Sequence, residues 1–187
     1  VGFLDTLLGR AKADLDRLSV LPEAAAVVQT TTGYAPTGVG AVCFATPEDA
    51  DPGRLCRELQ DMLDATPDAP TMTLTEDARG YTWLLAHHAP DDLPELVDNL
   101  RAMSAVLQDG GFADRLLCTL VAFRNPSARP LALVYLYKCG TFYPFAPLPN
   151  ERRNNHLEFQ VRAALAGVLP VESDLGRWFP LWSAPDL

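Results

Sequence analysis

The chain predicts a single α+β domain, a largely antiparallel β-sheet with helices packed on it. Three observations carry that prediction. Residues 116–123 and 131–138 are two long, nearly charge-free stretches of strand formers, and the seven residues between them are too few for a parallel crossover, so they pair antiparallel. Four stretches carry apolar residues three and four apart, the spacing of a helix with one buried face. The predicted order is helix, helix, strand, helix, strand, strand, helix, then three strands and a helix. That grouping favours α+β over alternating α/β.

The first element is an amphipathic helix over residues 2–18. Phe3, Leu4, Leu7, Leu8, Ala11, Leu15 and Leu18 make one stripe, with Asp5, Arg10, Lys12, Asp14 and Asp16 mostly off it. It is expected to dock on the core, on a second copy of the chain, or at a membrane interface. Leu21 and Pro22 open a second helix, expected to run to Val28 and to end over Thr30, Thr31, Thr32 and Gly33. A short strand follows over residues 41–45, entered through Gly38 and Gly40. Asp51 and Pro52 read as N-cap and first residue of a helix with Leu55, Leu59, Met62 and Leu63 inward, stopped by residues 66–70.

Met72 and Leu74 alternate with threonines and are expected to form a hairpin with residues 81–88, turning over Glu76–Gly80. Tyr81, Trp83, Leu85 and His87 fall on one side of the returning strand. Asp92 and Glu95 are spaced as a capping box for a helix carrying Leu93, Leu96, Val97, Leu100, Met103 and Leu107, stopped by Gly110 and Gly111. In residues 131–138, Leu131, Leu133, Tyr135 and Tyr137 alternate with Ala132, Val134, Leu136 and Lys138. Both sets are largely apolar, which predicts a strand covered on both faces and central in its sheet. Cys139 and Gly140 turn the chain into residues 141–145, a strand ended by Pro144, Pro147 and Pro149. Asn150 is expected to cap a last helix whose first turn is Glu151, Arg152 and Arg153, with Leu157, Val161, Leu165 and Val168 inward. The layout is similar to that of type III secretion chaperones. The tail, residues 169–187, carries Trp178, Phe179 and Trp182 and is expected to pack on the core or on a partner.

At 187 residues and 48% apolar, the chain can bury one core. Its net charge is −9, which argues against nucleic acid and against broad adhesion to anionic lipid. Cys43, Cys56, Cys118 and Cys139 are widely spaced, with no CxxC pair, and no secretory leader is evident. Buried, reduced thiols in a cytoplasmic protein are therefore expected. Gly33–Gly40 is not a phosphate-binding loop, as it lacks the GxxxxGK[ST] lysine. His87, His88 and His156 have no metal-ligand spacing, and there is no GxSxG elbow. No catalytic residue, metal or cofactor is predicted. The polar cluster 150–156 is the exception to this motif-poor pattern. Arg152 and Arg153 sit where an aromatic strand meets a helix start, able to pair Glu151, Glu172 or Asp174, or to bind an acidic group of a partner.

The segments LALVYLYKCGTFYPFAPL, ERRNN and DLGRWFPLW, with GFLDTLLGR, TGYAPTGVGAVCF and RGYTWLLAHHAPDDL, make the chain similar to the actinobacterial PspA-associated family PspAB over nearly its whole length. Asn154 stands where that family carries an acidic residue, and Cys139 where a basic one is usual. The resemblance implies a cytoplasmic accessory protein of the phage-shock, or envelope-stress, response. The implied partner is the coiled-coil membrane-binding protein PspA or another member of its locus. It carries over no catalytic residues. The expected function is then a non-enzymatic interaction module, with Arg152, Arg153, Tyr143, Trp178, Phe179, Trp182, Phe3, Leu4, Leu7 and Leu8 as partner-binding residues. Two alternatives stand beside it: a ligand-binding or hydrolytic site near Tyr143, Arg152, Arg153 and His156, and peripheral membrane attachment through residues 2–18.

Overall fold

The structure is a computed structural model that describes residues 13–46, 52–65 and 72–187. The expected helix over residues 2–18, with Phe3, Leu4, Leu7 and Leu8, therefore lies mostly outside the described residues. So do the Asp51 cap, the helix stop at 66–70 and the side chains of Leu55, Cys56 and Leu63.

The chain forms the expected α+β fold around a six-stranded, wholly antiparallel sheet. The strands are β1 (Ala35–Ala45), β2 (Met72–Glu76), β3 (Tyr81–His87), β4 (Leu116–Arg124), β5 (Pro130–Leu136) and β6 (Thr141–Phe145), in the order β2-β3-β1-β4-β5-β6. The helices are α1 (Leu21–Thr32), α2 (Pro52–Asp64), α3 (Leu93–Leu107) and α4 (Asn155–Ala164). A two-stranded ribbon, β7 (Pro147–Leu148) with β8 (Arg152–Arg153), precedes α4.

The pleat divides the sheet into two apolar faces. Val42, Phe44, Leu84, Val121, Leu133 and Tyr135 point to one face, where Leu21 and Val28 of α1, Leu59 of α2, Leu96 and Leu100 of α3, and Val161 of α4 cover them. Ala41, Cys43, Trp83, Leu85, Leu120, Val134, Tyr143 and Phe145 point to the other, and there the cover is the C-terminal tail with Trp178 and Leu181. The two-sided apolarity of the strands is thus explained by three layers: helices, sheet and an irregular strap.

Several boundaries differ from the sequence expectation for identifiable reasons. The chain enters α1 through a 3-10 helix, Leu15–Val20. α1 continues past Val28 to Thr32, where the hydroxyls of Thr30, Thr31 and Thr32 donate to the carbonyls of Ala26, Val27 and Val28 at 2.8, 2.7 and 2.6 Å, and it stops at the left-handed Gly33 (φ 75°). β1 begins six residues earlier than expected, at Ala35, and takes Gly38 and Gly40 into the strand across a register shift against β4. Asp92 makes no side-chain cap on α3, so the capping box is not formed. α3 passes into a π turn, Gln108–Phe112, before it stops. β5 is not central: β1 and β4 are, and β5 lies beside the edge strand β6. Pro144 sits within β6 rather than ending it, as an edge strand permits.

The last helix is also re-registered. Pro149, Asn150 (φ 63°) and Glu151 (φ 49°) form the three-residue turn of the β7–β8 ribbon, the last two in the left-handed region. Asn154 caps α4 instead, its Oδ1 accepting from Leu157 N at 3.1 Å. Arg152 and Arg153 are therefore in an extended ribbon, not in the first turn of a helix.

Gly38 (φ 81°) is the tightest point of the sheet. Its carbonyl accepts from His88 N at 2.8 Å, and a Cβ there would lie 2.0 Å from the carbonyl oxygen of His88. Gly38→Ala is expected to lower stability by at least about 2 kcal/mol, read as a fall in the urea midpoint. A shift within the error of the measurement would contradict this packing.

Candidate protein-interaction site

The tail is held against β6 by both backbone and side chains. Phe142 N donates to Pro170 O at 2.9 Å and Glu172 N to Phe142 O at 2.7 Å, a short parallel bridge that covers the sheet edge. The Glu172 carboxylate is buried. It accepts from Thr141 Oγ1 at 2.7 Å and from Asp174 N at 2.9 Å, with the Arg177 guanidinium 3.7 Å away. The Trp178 indole donates to Glu172 O at 3.0 Å, and the Tyr143 hydroxyl donates to Phe179 O at 2.8 Å.

Arg153 ties this strap to α4. Its Nε donates to both oxygens of Glu158, at 2.9 and 3.1 Å, its Nη1 to Trp178 O, and its Nη2 to Pro144 O at 3.4 Å. The guanidinium also lies over the Phe145 ring, 5.1 Å from its centroid. Glu158 is buried and accepts from Ala146 N at 2.9 Å as well. Burial pushes the Glu158 carboxyl up, against the opposing pull of the Ala146 N–H and Arg153.

The sequence-predicted site residues separate into three groups. Tyr143 and Trp178 are buried in the core between sheet and tail, and Arg153 is committed to Glu158 and Trp178. Phe179 and Trp182 are half-buried and line a cavity on the far side of the tail. Arg152 and His156 are exposed; among the described residues Arg152 reaches Pro149 O, at 3.4 Å. Tyr143, Arg152, Arg153 and His156 do not converge. The cavity of about 180 Å³ beside Arg153 is lined by Asn155, Glu158, Phe159, Leu175 and Trp178, without the other three. Of the pairings expected for the arginines, Glu151, Glu172 and Asp174, Arg153 takes none.

Two residues that were not singled out matter most on this surface. Phe159 and Leu175 are the large apolar side chains left exposed among the described residues, at 45% and 48%, and both stand at this cavity. Phe159 packs its ring 6.0 Å from that of Trp178, and Arg162 lies 6.0 Å from the same indole. The signal for Phe159 was available: an aromatic ring two residues from Leu157 and Val161 falls off the buried stripe of α4.

Elsewhere, Cys43 and Cys118 are buried directly opposite one another on β1 and β4, unbridged, and Cys139 is half-buried. Burial, reinforced by Cys118, pushes the Cys43 thiol up, the opposite of what a nucleophilic cysteine needs. His87 meets Asp186 at 3.0 Å, and His88 hydrogen-bonds Asn99. Among the described residues no group of three or more His, Cys, Asp or Glu could hold a metal ion, and no helix is long and apolar enough to cross a membrane.

The family described as PspA associated protein B matches residues 1–186, and the chain belongs to that family. No curated protein and no solved structure matches it.

Two outcomes follow from the Arg153–Glu158 pair. Arg153→Ala leaves a buried carboxylate unpaired and unhooks Trp178 O, so stability should fall by about 3–5 kcal/mol, with a smaller loss when Glu158→Gln is added. Equal losses in the single and double variants would remove the pair from its structural role. Because the folded-state pKa of Glu158 is raised, its contribution to stability is fully present below the free value of 4.5 and declines as pH rises through the folded value. The stability of the native chain relative to Glu158→Gln should therefore diminish as pH rises from the free value of 4.5 through the raised folded value and then level off, as urea titrations at each pH would report. A difference that grows over that range would contradict the burial.

Proposed function

We propose that this chain is a non-enzymatic accessory protein of the PspA-linked envelope-stress response, and that it works by binding PspA. The family description, which names association with PspA, is the observation that carries the proposal. The surface offers a place for it. Phe159 and Leu175 line a shallow cavity together with Arg153 and Glu158, and Arg162 lies over the Trp178 ring of the same lining. An amphipathic helix laid across that cavity would bury the two apolar side chains and leave the charged rim at its polar edges, a common recognition mode. Large exposed apolar groups that are neighbours are more informative than scattered ones.

The face is rigid where it needs to be. Trp178 belongs to the packed strap and Arg153 of β8 ties that strap to α4, so the two anchors project from an ordered support. Both anchors are on the surface, so acidic substitutions there spare the core. The double variant Phe159→Glu, Leu175→Glu should keep its urea midpoint and lose at least about tenfold in affinity for purified PspA, followed by calorimetry. Unchanged affinity would move the contact away from this face. Light scattering of the chain alone, with and without the substitutions, separates a second copy from PspA as the occupant.

A further inference from the structure

On the other side of the tail lies a cavity of about 290 Å³ that the PspA-docking face does not use. Its walls are the β2–β3 turn and the strap, and they bring together Tyr81, Trp83, Phe179 and Trp182 with the acidic Asp77 and the basic Arg79. The turn is built around the Asp77 carboxylate. Oδ1 accepts from Arg79 N at 2.8 Å and from Tyr81 N at 3.0 Å, and Oδ2 accepts from the Trp83 indole at 2.9 Å. Asp77 is thus fixed in the wall by three N–H groups and cannot turn away. Arg79 is drawn toward the rim by Glu151, 3.6 Å away across the β7–β8 turn.

We infer that this cavity is a binding site for a cationic side chain, an arginine or lysine of a protein partner. Aromatic faces beside a fixed carboxylate attract an alkylguanidinium or alkylammonium group, through ring quadrupoles and charge together. Tyr81, Phe179 and Trp182 are half-buried, so a ligand can reach them, while Trp83 is buried and closes the wall. The charge balance agrees: Glu151, outside the cavity, pairs with Arg79 at 3.6 Å and offsets it, leaving the charge of Asp77, and the whole chain carries −9. The volume lies at the lower end of the range for small-molecule pockets and suits one long side chain better than a cofactor. The inference stands apart from the PspA-docking face, since it rests on different residues.

The test uses the full chain and N-acetyl-arginine methylamide as probe, followed by the indole N–H signals of Trp83 and Trp182 in NMR spectra. Saturable shifts are expected with the arginine probe and with its lysine counterpart, and an affinity at least about fivefold weaker for the uncharged norleucine counterpart. Asp77→Asn, which keeps Oδ1 for the turn but removes the acceptor of the Trp83 indole, should weaken the arginine probe about fivefold as read on Trp182. Arg79→Ala should tighten it, because it removes the competing cation. These opposite signs cannot both come from a damaged fold. The Phe159→Glu, Leu175→Glu variant should bind the probe as the native chain does. Equal binding of norleucine, no saturable shift with either cation, or weaker binding in Arg79→Ala would overturn the inference. So would free choline binding more tightly than the capped residues, which would make the ligand a small free cation instead.

Discussion

Everything in this fold depends on a sheet that is apolar on both faces. Such a sheet must be covered twice, and the helices cover it only once. α1, α3 and α4 bury one face; a strap with no regular structure beyond a single 3-10 turn, Leu175–Arg177, buries the other. A strap of that kind has no internal ladder for its backbone groups, so they must be satisfied elsewhere. Phe142, Glu172, Trp178, Tyr143 and Arg153 supply those partners one by one.

This need accounts for the polar groups buried at the seam. A buried ion pair gains little over a well-packed apolar pair, yet removing one member is costly. Arg153 and Glu158 fit that description: between them they satisfy Ala146 N and Pro144 O at the end of β6 and Trp178 O of the strap. What they contribute is register, fixing where the strap lies relative to α4 and β6. The exposed Phe159 and Leu175 then stand at a fixed spacing on either side of that seam.

Much of this was legible in the sequence. The double alternation in residues 116–123 and 131–138 announced a sheet covered on two faces, and Leu157, Val161 and Leu165 announced the inward side of α4. The strand order was not legible, because β1 reaches its neighbours β3 and β4 across long stretches of chain, and no local pattern specifies which strand ends beside which. Asn150 and Asn154 are both plausible caps by type; the choice fell to Asn154 because Asn150 and Glu151 take the left-handed turn of a ribbon two residues long on each side. The surplus of aromatic residues in the tail was visible as well. That Trp178 and Tyr143 would be spent on the core, leaving Phe159 and Leu175 for contact, depends on tertiary packing and left no local mark.

The most direct measurement is amide hydrogen exchange on the intact chain, comparing Phe142 and Glu172, which bridge the strap to β6, with the central amides of β4. If the strap is an integral layer, these protons exchange only through global unfolding, with the same denaturant dependence as β4. Exchange of Phe142 and Glu172 through a cheap local opening, while β4 stays protected, would make the tail a loose arm and contradict the account.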